Sequence, residues 1–197
     1  MRSDAVEVVT VETLSDDWGV LKKSTLRFRR SSGAWQSVTR ETYDRGHGAA
    51  ILLYDAGRRT VVLTRQFRFP VFANGEPGDL IEACAGLLDG DDPATAIRRE
   101  TEEETGFRIG APQQVMDVYT SPGSVTERLV LFLAPYTPGD RVGTGGGDAG
   151  EGEDIEVLEL PFDQALAMIG TGEIRDAKTI ILLYHARETV MRDERSS

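Results

Sequence analysis

Cysteine is almost missing from this chain of 197 residues: Cys84 is its single thiol. An internal disulfide framework is therefore excluded, and the composition suits a reducing cytoplasm. Long apolar runs are missing too. The longest clean one, Ala49–Tyr54, falls far short of the ~20 residues that cross a bilayer, so no membrane role is expected. The first residues, Met1 to Glu7, offer no apolar signal core. Positive charge is in deficit, with 22 Lys and Arg against 33 Asp and Glu and a formal net charge of -11. That balance argues against a nucleic-acid or anionic-membrane partner. It also means that an anionic substrate needs a metal ion or a local basic patch. His47 and His185 have no second His or Cys at metal-ligand spacing and read as structural. Gly145-Gly146-Gly147 lacks the Lys-Ser/Thr of a phosphate-binding P-loop.

What is present is enough apolar residue, 40%, for one domain with a small appendage. Residues 5 to about 43 read as extended strands with a turn at Ser31-Ser32-Gly33, too polar to form a core alone. Asp44-Arg45-Gly46-His47-Gly48 breaks that pattern. Ala49–Tyr54 and Thr60–Phe69 then read as strands, the second with Leu63, Arg65, Phe67 and Phe69 on one face. Further strands are expected at 80–83, 115–119, 127–134 and 155–160. Helices are expected at 93–105, from about Phe162 to a stop at Gly170, and from about Asp176 to Val190 with Ala177, Ile180, Ile181 and Tyr184 as its stripe. Residues 137–154 hold seven glycines in 18 positions and predict a mobile surface loop. The interleaving of strands and helices makes the class mixed α/β.

The helix over 93–105 carries the chemistry. Asp92 before Pro93 is a start signal and Gly106 a stop. On a helical wheel Pro93, Ala96, Ile97, Glu100 and Glu104 share one side, with Glu103 at its margin. A run such as Glu102-Glu103-Glu104 is usually a solvated face, and that fits Glu102. It does not fit Glu100 and Glu104, whose side must turn inward. Acids here also crowd the C-terminal half of the helix, where its dipole disfavours them. A divalent cation reverses their repulsion, and an oxygen-only ligand set points to Mg²⁺ or Mn²⁺.

Gly86, Arg99-Glu100, Glu103-Glu104 and Gly106-Phe107 resemble the Nudix box, Gly-x5-Glu-x7-Arg-Glu-apolar-x-Glu-Glu-x-Gly-apolar. Thr101 replaces an apolar residue, the front loop is one residue short, and Asp91 or Asp92 stands where Glu is usual. The likeness extends over roughly residues 14–190, through Tyr43-Asp44-Arg45-Gly46, Arg65-Gln66-Phe67-Arg68, Ile81-Glu82, Cys84-Ala85-Gly86-Leu87-Leu88-Asp89, Ser121-Pro122-Gly123, Asp154–Phe162 and Thr171–Asp176. Together these resemble the GDP-mannose hydrolase branch of the nucleoside-diphosphate-sugar Nudix enzymes. ADP-ribose pyrophosphatases share the core and the N-terminal appendage.

The resemblance implies a Nudix α/β/α sandwich with a mixed sheet at 46–197 and an antiparallel β appendage at 1–45, exchanged within a homodimer. It implies Mg²⁺, with Mn²⁺ as a substitute, held by Glu100, Glu104, Glu153 and the backbone carbonyl of Ala85. Catalytic acids would be Glu103 and either Glu153 or Glu127 as general base, a choice left open. Arg68 would grip the substrate's phosphates and Lys178 would contact the substrate, as would Ala85, Gly86, Leu87, Glu104, Glu127 and Glu153. Trp18 would stack the guanine, and Thr39, Arg40 and Glu41 would be contributed by the second subunit. The implied reaction is hydrolysis of GDP-mannose to GMP and mannose 1-phosphate in the cytoplasm. ADP-ribose or another nucleotide sugar is the alternative substrate. A non-catalytic nucleotide-sugar sensor is a rival of another class.

Overall fold

The computed structural model describes residues 5–148, 150 and 152–192. They form two compact units: the chain through His47 with Tyr119–Arg128, and Gly48–Val118 with the chain from Leu129 onward.

The first unit is an antiparallel sheet of β1 (Val6–Asp16), β2 (Val20–Arg29) and β3 (Trp35–Asp44), in that order. Gly33, at φ +86°, makes the β2–β3 turn. Every residue of β1 is exposed, including Val8, Val9 and Val11. Tyr43 joins the 121–126 segment, donating its N–H to Ser124 O at 2.8 Å and accepting from Thr126 N–H at 3.0 Å.

The second unit contains β4 (Gly48–Asp55), β5 (Thr60–Phe67), α1 (Phe69–Ala73), β6 (Asp79–Glu82), β7 (Cys84–Leu87), α2 (Pro93–Glu100), β8 (Gln113–Val118), β9 (Leu129–Pro135), β10 (Glu156–Pro161), α3 (Phe162–Thr171) and α4 (Ala177–Glu188). Its sheet runs β10-β5-β4-β9-β8, with β4 and β9 parallel and the other neighbours antiparallel. Successive residues of β4 serve opposite faces, as strand geometry requires. Ala50 and Leu52 join Phe162, Ala165, Leu182 and Leu183 of α3 and α4. Ala49, Ile51 and Leu53 join Ile97 of α2 and Phe107. The result is the expected α/β/α sandwich.

The sheet opens in one place. β4 and β5 pair only near their hairpin, Leu53–Asp55 with Thr60–Val62. Beyond it they part. β6 pairs with β5 and β7 pairs with β4, so the chain changes partner at Ala83. Ala83 N–H leaves the ladder and donates to Thr179 Oγ1 of α4 at 2.7 Å.

Several local expectations change. β5 ends at Phe67, and Thr64 and Gln66 are buried while Phe67 is exposed. Where β4 has parted from it, β5 pairs edge to edge with β6, and Thr64 Oγ1 donates to Glu82 O. The face that carries Thr64 is the Val62 face, which packs on the side of Ile97 and Phe107. α3 stops at left-handed Gly172 rather than Gly170. α4 buries Lys178, Thr179, Leu182, Leu183 and Ala186, and Tyr184 is exposed. Its expected stripe is rotated because Asp176 caps it, accepting from Thr179 N–H at 3.0 Å, and because Lys178 and Thr179 reach polar partners on β6 and Ala83.

Candidate active site

The helix starts as its sequence dictates. Asp92 caps it by accepting from Thr95 N–H at 3.2 Å, with Pro93 in the first position. After Glu100 the regular spiral does not continue. Thr101–Thr105 form a wider π turn, ended by Gly106 at φ +75°. A turn closed one residue later rotates the succeeding side chains back toward the Ile97 line. Thr105, which a regular wheel puts outside, is therefore buried, and Thr101 is buried with it, donating to Ile97 O at 2.6 Å.

Glu104 is 2% exposed, and its Oε2 is buried without any hydrogen-bond partner. Burial pushes its carboxyl up to about 8; the Cys84 thiol hydrogen bond pulls it down, and the charges of Glu153 and Glu100 add to the rise. Burial likewise raises Glu100. Arg99 Nη2 donates to Glu100 Oε1 at 3.0 Å, and Arg99 Nη1 lies 3.6 Å from Asp91 Oδ2. The two front-loop acids thus divide their work: Asp92 caps the helix and Asp91 braces the arginine beside Glu100. Gly86 lies under the Glu100 side chain, so a Cβ there would meet Glu100 Cδ at 2.3 Å. The Cys84 thiol is fully enclosed and pushed well up by that burial.

Across the seam at Ala83 lies a second charged group. Glu82, 3% exposed, accepts from Arg68 Nε at 2.6 Å and from Lys178 Nζ at 2.5 Å. Lys178 Nζ also lies 3.1 Å from Asp176 Oδ1. Both cations assigned to substrate contact are thus gathered on one carboxylate. Sequence reasoning missed Glu82. Its signal there is a lone acid inside the apolar run Leu80–Cys84.

The remaining expected site residues are more dispersed. Glu103 is exposed, while Ala85, Gly86, Leu87 and Glu153 are half-buried. Glu153 Oε2 accepts from Asp148 N–H at 3.0 Å. In the first unit Glu127 is held by Arg45, whose Nε and Nη2 donate to its Oε1 at 2.9 and 2.6 Å. Trp18 is 71% exposed, with the Arg45 guanidinium 5.8 Å from its ring. Thr39, Arg40 and Glu41 lie exposed on β3.

Residues 44–183 match the family model described as the NUDIX domain. The chain belongs to the Nudix family. Residues 5–43 match a second model, described as the GDP-mannose pyrophosphatase NudK N-terminal domain. Among curated Nudix relatives, a GDP-mannose pyrophosphatase of Pectobacterium atrosepticum is 51% identical over 185 residues, 93% of this chain and 95% of that protein. Proteins of the same name from Cronobacter sakazakii and Escherichia coli O1:K1 are 50% and 49% identical; they cover 91% and 95% of this chain and 94% and 98% of their own lengths. A crystal structure of an ADP compounds hydrolase shares the fold at TM-score 0.69 and 18% identity, covering 93% of each chain.

Nudix hydrolases work with a divalent cation, and the acids of this Nudix helix fit one. A buried carboxylate oxygen lacks a partner, a second carboxylate is packed beside it over Gly86, and a third adds like charge. A cation gives that oxygen a partner and turns the repulsion into attraction. Among the described residues no three His, Cys, Asp or Glu side chains already stand close enough together to hold a metal ion. No described helix is long and apolar enough to cross a membrane.

Proposed function

We propose that this Nudix hydrolase is a Mg²⁺-dependent GDP-mannose pyrophosphohydrolase that releases GMP and mannose 1-phosphate. The observation that carries the chemistry is the buried, unpartnered oxygen of Glu104 beside Glu100. The substrate rests on the relatives' names at about half identity and on the match at residues 5–43.

Glu100, Glu104, Glu153 and the Ala85 carbonyl would hold the cation, which supplies charge neutralisation at the diphosphate. Arg68 and Lys178 bind the phosphates, and Glu82 holds both ammonium and guanidinium groups in place before substrate arrives. Gly86 and Leu87 line the substrate beside Ala85. Glu153 takes the proton of the attacking water. Its carboxylate accepts one backbone N–H, whereas Glu127 is already engaged twice by Arg45, and that contrast supports Glu153. Glu103 contributes negative charge at the exposed margin of the same turn. Trp18 stacks the guanine, and Thr39, Arg40 and Glu41 serve a partner's site in a homodimer that exchanges the 1–45 segment. The exposed valines of β1 support such a partner. A cytoplasmic location agrees with one enclosed free thiol.

The test is release of nucleoside monophosphate from GDP-, ADP- and UDP-sugars, with and without EDTA. Fastest turnover of GDP-mannose, abolished by EDTA and restored by Mg²⁺, is expected. Faster turnover of ADP-ribose would replace the substrate assignment. A ligand-induced thermal shift without turnover would make the protein a sensor.

A further inference from the structure

The glycine-rich segment, expected from sequence to be a mobile loop, is fastened to the Nudix helix by its backbone. A helix end leaves carbonyls without internal donors. Here the donors come from the loop. Gly147 N–H reaches Glu103 O at 3.2 Å, Gly146 N–H reaches Glu104 O at 2.9 Å, and Val142 and Gly143 N–H reach Gly106 O at 2.8 and 3.2 Å. The contact is too close for side chains. A Cβ on Gly145 would stand 2.4 Å from Glu104 O, and one on Gly147 would stand 2.3 Å from Glu153 Oε2. Both glycines also have left-handed φ, +70° and +76°.

The same segment fixes Glu153. Ile155 N–H donates to Gly146 O at 3.2 Å, and Glu153 N–H donates to Asp148 O at 3.2 Å. Asp148 N–H donates in turn to the Glu153 carboxylate at 3.0 Å. Glu153 is near enough to Glu100 and Glu104 for their charges to interact. The carbonyls that anchor the loop belong to Glu103 and Glu104 themselves. The loop acid is thus referenced to the helix acids through backbone bonds and the one bond from Asp148 N–H to its carboxylate.

We propose that Gly145 and Gly147 are positioning residues, latching the loop to the carbonyl end of the Nudix helix so that Glu153 stands at a fixed place beside Glu100 and Glu104. The proposal rests on the role of Glu153 as proton acceptor. A cap serving stability alone would leave turnover per folded molecule unchanged. A latch that places a reacting group would not, since a displacement of about 1 Å costs on the order of a hundredfold in rate.

The experiment uses the full chain with Mg²⁺ and GDP-mannose. Gly147→Ala and Gly145→Ala are compared with Glu153→Gln, with the double variant Gly147→Ala/Glu153→Gln, and with Gly139→Ala. Gly139 is the control because a Cβ there meets only Thr137 Oγ1, at an ordinary 3.6 Å. The readouts are kcat and KM separately, and exchange of the Gly146 and Gly147 amide protons by NMR. Expected results are slow amide exchange in the wild type and fast exchange in the Gly147→Ala variant. That variant should lose about tenfold to hundredfold in kcat with KM nearly unchanged. The double variant should be no slower than Glu153→Gln, and Gly139→Ala should match the wild type. Two results overturn the latch: exchange in the wild type as fast as in an exposed loop, or effects of Gly147→Ala and Glu153→Gln that multiply. Full turnover by Glu153→Gln with protected amides instead overturns the role of Glu153, and the catalytic meaning of the latch falls with it.

Discussion

Replacing Glu104 by Gln removes a carboxyl that is buried with one oxygen unpartnered. Burial holds its proton up to about 8, against an ordinary 4.5. Below pH 4.5 the folded and unfolded chains both carry that proton. Between 4.5 and 8 only the folded chain does, so metal-free stability falls as pH rises. Above about 8 neither carries it and the deficit is constant. At about 1.36 kcal/mol per pH unit, the wild type loses on the order of 4–5 kcal/mol across this window. In a chain of this size that is roughly 8–20 °C in Tm. Gln has no proton to lose, so the variant lacks this slope. The assay is thermal unfolding in EDTA at pH 5 to 9 for both proteins, read as their difference so that other carboxyls cancel. Mg²⁺ added at pH 8 should raise the wild-type Tm, by about 2.7 kcal/mol of stability at a hundredfold excess over Kd, and leave the variant unmoved. Turnover by the variant should fall by orders of magnitude. Parallel pH curves would show that Glu104 is ionised in the folded protein and would refute the reasoning.

Gly86→Ala should keep the fold and weaken divalent-cation binding by tenfold or more, since the new methyl takes the place of the Glu100 side chain; calorimetric titration with Mn²⁺ reads this directly. Glu82→Ala should cost about 3–5 kcal/mol in urea unfolding, because Lys178 stays buried with Asp176 as its remaining acidic partner. The milder Glu82→Gln should raise KM more than it lowers kcat as Arg68 and Lys178 lose their shared anchor; an unchanged KM would separate Glu82 from substrate binding. Asp176→Ala removes the cap of α4 and should cost about 1–2 kcal/mol, measured the same way. Trp18→Ala should raise KM for guanosine substrates with little effect on kcat; an equal KM across nucleotides would remove Trp18 from the site.

Elements set by local rules were legible in the sequence. The apolar run Ala49–Tyr54, the Asp92-Pro93 start and the Gly106 stop each act within a few residues, and the structure has all three. The acidic pair was legible because Glu100 and Glu104 share a face with Ile97. The features that escaped depend on partners far along the chain. The buried face of α4 is set by Thr179 and Lys178, whose partners lie 96 residues away. The polar face of β5 is buried because it turns toward α2 and the turn that follows it, well beyond β5 in the chain. The π turn is a change of one hydrogen bond that no wheel anticipates. The glycine-rich segment, too poor in side chains to build a packed element, packs for that same reason, through N–H groups that side chains would hold apart.

The parting of β4 from β5 has a consequence for how such an enzyme diversifies. Glu82 hangs from the ladder of β5 and Ala85 from that of β4, though only two residues separate them. The carboxylate that gathers Arg68 and Lys178 and the strand that lies beneath Glu100 thus belong to different ladders on either side of a wedge. Substitutions around Arg68 and Glu82 therefore act on a different ladder from the one that holds Gly86 beneath Glu100. One hydrolytic centre can in this way be inherited intact while its clientele changes.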